Sequence, residues 1–123
     1  MSFTNTFETT VLTWAFTTNS ATRPTEWHTA LYTVAPDDTG GGTEVSGGGY
    51  ARQATAFTVS GNTASNTSAE EWPVATAGYG TAVAVGIFDA SSGGNLLAYA
   101  NLTASKTIDT GDVFRIPAGD LDI

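Results

Sequence analysis

Few residues in this chain are equipped for chemistry, and those few are poorly spaced for it. His28 is the one histidine, so no pair of imidazoles can share a transition metal or form a relay. On a strand it shares a face with Ala30, Tyr32 and Val34, which suits a structural or exposed side chain. Nine serines offer hydroxyls, but no nucleophile-elbow sequence surrounds any of them. Cysteine is absent, which removes disulfides, thiolate metal sites and thiol nucleophiles together. Glu70 and Glu71 are adjacent, so on a strand they face opposite ways and make no acid–base pair. Asp109, Asp112, Asp120 and Asp122 cluster late in the chain without EF-hand spacing. In Thr110-Gly111-Asp112 and Ala118-Gly119-Asp120 the short carboxylate suits a turn, with a weak calcium site as the alternative. The glycines between Gly40 and Gly49 lack the Lys-Ser or Lys-Thr of a phosphate loop. Trp14, Trp27 and Trp72 offer flat faces on which a sugar could stack, although aromatic residues in so small a domain more often form the core. The residues predict no enzyme, no cofactor and no resident metal.

The elements that would hold these residues are mostly strands. At 123 residues the chain makes one domain. Only 13% of it is charged, about half the usual fraction of roughly 25%. Twenty-two threonines and 14 glycines take that place, which disfavours a helical bundle and favours strands joined by glycine-rich turns. The opening differs. Phe7, Val11, Trp14 and Ala15 recur at helical spacing, and Asn5 with Glu8 has the form of a capping box, with Phe3 available as a staple. A helix is expected over residues 5–16, marginal by itself because it is short and rich in β-branched threonine.

Strands are expected over residues 27–35, 50–59, 63–68, 81–88 and 96–102. Trp72-Pro73-Val74 reads as an edge or a strand start, since Pro73 has no N–H to donate. Ile108, residues 113–116 and residues 121–123 supply short closing strands. Ser60-Gly61-Asn62 and residues 91–95 read as hairpin turns. Seven or eight strands at such spacing predict a single antiparallel β-sandwich, jelly-roll-like or immunoglobulin-like. Its expected division is an N-terminal helix or arm, residues 1–17, followed by the sandwich, residues 18–123.

Charge narrows the partners. The net charge is −8, and Arg23, Arg52, Lys106 and Arg115 are too few and scattered to follow a phosphate backbone or an anionic bilayer. Neither nucleic acid nor membrane is therefore expected. Met1-Ser2-Phe3-Thr4 has no signal-peptide character, and the apolar run of residues 82–88 is too short to span a bilayer.

The run Gly42-Thr43-Glu44-Val45-Ser46-Gly47-Gly48-Gly49-Tyr50-Ala51-Arg52-Gln53 resembles a signature of small tailed-bacteriophage virion structural proteins. Further stretches fit the same pattern: Phe7-Glu8 with Leu12-Thr13-Trp14, Arg23-Pro24-Thr25 with Trp27, Gly86-Ile87-Phe88-Asp89-Ala90 with Gly93-Gly94-Asn95, and Ile108-Asp109-Thr110-Gly111-Asp112. The resemblance spans nearly the whole chain. Members are often labelled tail-fibre or capsid-associated proteins. It implies a non-catalytic virion protein, made in the host cytoplasm, whose partners are the major capsid protein or tail proteins. In physical terms Gly47, Gly48 and Gly49 let the backbone turn into the Tyr50 strand. Arg52, a rare cation in an acidic chain, calls for a carboxylate, and Glu44 is the nearest in sequence.

Within that class the absence of a repeat, coiled coil or shaft favours a capsid decoration (cement) protein over a small tail-fibre, tail or baseplate subunit. A homo-oligomer, with a trimer as the guess, goes with a shell clamp. The reading from another class is a glycan-binding module for host-surface attachment. Phe3, Phe7, Leu12 and Trp14 are the expected subunit or shell contacts, because residues 1–16 carry more apolar surface than one side of a short helix can bury.

Overall fold

A computed structural model describes residues 1–123. Its centre is the β-rich run that sequence places early: β2, His28–Val34, lies in the middle of a six-stranded antiparallel sheet. One side of β2 pairs with β8, Gly80–Phe88. The thirteen-residue β9, Leu96–Ile108, then pairs with β8, and β1, Ser2–Phe3, closes that edge. The other side of β2 is shared by two short strands, β3, Thr43–Glu44, and β4, Gln53–Ala54. Two ribbons complete the chain. β5, Phe57–Ser60, pairs with β6, Thr63–Asn66, and β7, Glu70–Glu71, pairs with β10, Arg115–Ile116. The single helix α1 is Asn5–Phe16. The protein is an all-β, antiparallel, sandwich-like fold with a short N-terminal helix, and that helix is not long and apolar enough to cross a membrane.

Alternation along the strands splits the apolar residues between two faces. Leu31 lies opposite Val85, and both face the main core with Trp72, Tyr79, Ile108, Ile116 and Leu121. This core sits between the large sheet and the layer formed by the ribbons and their connections. Burying a side chain such as Leu31 or Ile108 contributes roughly 1.5–3 kcal/mol. On the reverse face Tyr32, opposite Ala84, gathers with Ala30, Phe88 and Leu96. Tyr32 stacks on Phe88 with 6.5 Å between centroids. That placement needs Gly86, where an added Cβ would lie 2.9 Å from the Tyr32 ring and 2.7 Å from Leu96.

Several elements differ from their sequence reading. The strand expected over residues 50–59 is broken into β4 and β5, because Thr55 turns inward: it is buried, and its hydroxyl bonds Thr29 Oγ1 at 2.6 Å. The strand near Pro73 ends before it, as β7, and Trp72 follows as a core residue against Phe114. Ile108 is the end of β9 rather than a strand of its own. The last residues make only a bridge, Asp122 to Ser65.

Candidate functional site

Glu44 at the end of β3 and the loop that follows, with Gly47, Gly48, Gly49, Tyr50 and Arg52, close into one bonded unit. Val45 continues from β3, donating its N–H to the Leu31 carbonyl at 2.9 Å. Gly47, Gly48 and Gly49 follow with φ of 77°, 62° and 82°, the left-handed region that only glycine enters freely. At Gly48 a Cβ would also overlap the Ala77 carbonyl oxygen. The chain then reaches Tyr50, whose hydroxyl accepts the Leu31 N–H at 3.0 Å.

That bond has a topological cause. β4 covers β2 at His28 and Thr29, and β3 covers it at Tyr32 and Val34. Leu31 falls between them, fully buried, with a backbone donor that no strand reaches. A buried N–H must be satisfied, and the Tyr50 hydroxyl does so.

The same hydroxyl donates to Glu44 Oε2 at 2.7 Å. Glu44 in turn receives both arms of Arg52, Nε to Oε2 and Nη2 to Oε1, each at 2.9 Å. This is the two-pronged geometry that makes arginine–carboxylate pairs strong. Arg52 Nη1 also donates to the carbonyls of Ala90 at 3.0 Å and Gly93 at 2.8 Å. The guanidinium carbon stands 3.5 Å above the Phe88 ring, a cation–π contact. Only 9% of the Arg52 side chain is exposed. Burial, with Glu44 alongside, pushes the Tyr32 hydroxyl up to about 12. Burial raises Tyr50 further, and both phenols stay neutral at ordinary pH. Arg52 thus ties the loop, the reverse face of the sheet and the β8–β9 turn together. Glu44, Tyr50 and Arg52 are each held by hydrogen bonds within the cluster.

The N-terminal segment is built the other way. Thr4, rather than Asn5, caps α1: its hydroxyl accepts the Phe7 N–H at 3.3 Å and donates to the Leu96 carbonyl at 2.6 Å. The tertiary bond to β9 selects Thr4. The signal was present, since a staple residue precedes the cap by one position and Phe3 meets Phe7 edge-on at 4.9 Å. Beyond this first turn Thr10, Val11 and Thr13 are half-buried on the side facing residues 20–24, and none of the helix residues is fully buried. Of the expected contact residues, Phe3 and Phe7 hold each other half-buried, whereas Leu12 is 56% and Trp14 72% exposed. Phe16, at 80%, was not among them.

The remaining candidates occupy ordinary positions. His28 Nε2 meets Glu26 at 3.2 Å. Asp112 accepts the Asp109 N–H at 2.9 Å and so closes a turn. No three His, Asp or Glu side chains gather in a way that could hold a metal ion. Glu70 is buried and its carboxyl is raised by that burial, while Glu71 is exposed. Trp72 is 1% exposed and so unavailable to a sugar. A polar cleft of about 340 Å³ lies between α1, residues 20–24 and the β8–β9 turn, with Thr6, Thr13, Arg23, Asp89 and Asn95 in its walls.

No curated protein matches the chain. A family model does, over residues 2–123, and its description is podophage GP4 fiber I protein gp80. With that match covering nearly every residue of this two-faced β domain, the chain belongs to the Gp80 family.

Proposed function

We propose that the chain is a non-catalytic structural subunit of a virion, a fibre component held to other virion proteins by its N-terminal face. The observation that carries this reading is α1 itself. Leu12, Trp14 and Phe16 stand in solvent on a helix with no fully buried residue, and exposed apolar surface of that kind marks an interaction site. The family description supports a fibre as the location. Decoration of the capsid shell is the other location within the same class, supported by the compact single domain without repeat or shaft. Gold-labelled antibody on particles, with copy number from quantitative mass spectrometry, separates them. Label confined to fibres supports the first, and many copies on tail-less heads support the second. Absence from purified particles overturns both.

A second reading, glycan attachment, draws on the polar cleft beside α1. Its threonine hydroxyls with Arg23, Asp89 and Asn95 are groups that bond sugar hydroxyls, and its volume lies in the range of small-molecule sites. Binding on a glycan array that is lost in Asp89→Ala, with folding retained, would favour it.

A further inference from the structure

The polar cleft beside α1 continues into a second hollow of different character. That hollow, about 270 Å³, lies between Phe7, Val11 and Trp14 of α1 and residues 21–24. The two share Phe7, Thr10 and residues 21–24 in their walls, so they form one groove with a polar and an apolar end. Helix geometry puts Trp14 at the apolar end. Residues 7, 11 and 14 fall on one side of a helix. Leu12 and Phe16 share the opposite side, each two residues, or about 200° of rotation, from Trp14. Trp14 therefore overhangs the groove, and at 72% exposure its ring is open to a ligand.

Hydrogen bonding in the polar end selects the class of ligand. The hydroxyls of Thr9 and Thr10 donate to the Asn5 and Thr6 carbonyls at 3.0 and 3.1 Å, so toward the cleft these oxygens only accept. Asp89 also only accepts, and Asn95 holds it in place by donating its N–H and Nδ2 to the two carboxylate oxygens at 2.7 and 3.0 Å. Each oxygen keeps a lone pair to spare. Arg23 is the one cation in the walls, and no carboxylate lies within ion-pair distance of it. A matching ligand donates to Asp89 and the threonines, accepts from Arg23 and presents an apolar face to Trp14. A sugar does all three, since its hydroxyls both donate and accept and its C–H face is apolar. The carboxylate of an acidic sugar only accepts, and it would meet Asp89 and a net charge of −8. Resting on the glycan reading of the polar cleft, we infer that the groove takes a neutral oligosaccharide, one ring flat on Trp14 and the next turned to Asp89 and Arg23.

The test is binding of the purified chain to an array of neutral oligosaccharides, built from hexoses and N-acetylhexosamines, beside carboxylated ones that contain uronic or sialic acids. Calorimetric titration with the neutral oligosaccharide that binds best then compares variants. Trp14→Ala is expected to weaken binding by about tenfold or more, the fold-change that matches losing the contact of one aromatic side chain. Trp14→Phe is expected to restore most of it, and Phe16→Ala, on the opposite side of α1, to leave it unchanged. Both positions are exposed, and circular dichroism with a melting curve checks that each variant folds. Asp89→Ala probes the polar end, and should it lower the melting temperature, Arg23→Ala at an exposed position replaces it. Binding that Trp14→Ala leaves intact, an equal loss in Phe16→Ala, or a preference for carboxylated sugars overturns this proposal while the glycan reading stands. An array on which the parent chain binds nothing, or binding that survives the change at the polar end, overturns both.

Discussion

The β3–β4 loop and helix α1 handle their side chains in opposite ways. The loop has a cation, a phenol and three left-handed glycines, and it binds the cation and the phenol to the Glu44 carboxylate at the end of β3. The helix has mainly threonines and large apolar groups, and it buries none of them. Its threonines Thr9 and Thr10 bond their own helix carbonyls at 3.0 and 3.1 Å, so they add nothing to tertiary structure. The contrast teaches where this protein is rigid and where it is adhesive. A saturated polar cluster fixes one arrangement of its neighbours. An unsatisfied apolar helix gains stability from whatever covers it.

Mutations can break or sharpen that contrast. Arg52→Ala should have the largest effect. It leaves the half-buried Glu44 carboxylate held by Tyr50 alone and frees the Ala90 and Gly93 carbonyls, at a cost of about 3 kcal/mol, the low end for breaking a buried pair. Urea denaturation measures it, and a loss below about 1 kcal/mol would mean that the loop is no more fixed than the helix. Tyr50→Phe comes next. It preserves the ring packed edge-on against Tyr79 at 5.8 Å but strands the Leu31 N–H, so about 1–3 kcal/mol should be lost. Hydrogen exchange at the Leu31 amide should speed up with it.

Thr4→Ala tests the one firm joint of the helix. Loss of the cap and of the bond to Leu96 should lower stability by about 1–2 kcal/mol. It should also reduce the helical circular dichroism signal while leaving the sheet intact. Leu12→Ser should have the smallest effect, within about 0.5 kcal/mol in the isolated chain, as seen in an unchanged melting curve at low protein concentration. A clear drop there would show that Leu12 is packed within its own molecule, and the contrast between the two regions would fail.

Local patterns were readable where their cause is local. The helix lies at residues 5–16 because its i, i+3 and i+4 spacing is a property of neighbouring residues. The hairpin turns at Gly61 and at Gly93 with Gly94 sit where glycine can take positive φ. The pairing of Arg52 with Glu44 was also within reach, since eight residues separate the two and a lone buried cation needs a carboxylate. Other features were not readable, for a definite reason. Asn5 and Thr4 are both acceptable caps, and a carbonyl on β9, ninety-two residues away, decides between them. Trp72 carries no mark of burial in its own neighbourhood, and its place against Phe114 depends on the pairing of β7 with β10.

By itself, then, the chain's composition and periodicity determined an acidic, cysteine-free, antiparallel β protein with one amphiphilic helix at its start, because hydrophobic period, turn residues and charge act over a few residues. Tertiary structure alone decided that β3 and β4 leave a gap over Leu31, that Tyr50 fills it, and that the start of α1 docks on β9 while Leu12, Trp14 and Phe16 remain exposed. Those outcomes depend on strand order and on which backbone donors are left without a neighbour. Strand order in turn follows from packing the whole core at once, so no short stretch of sequence carries it.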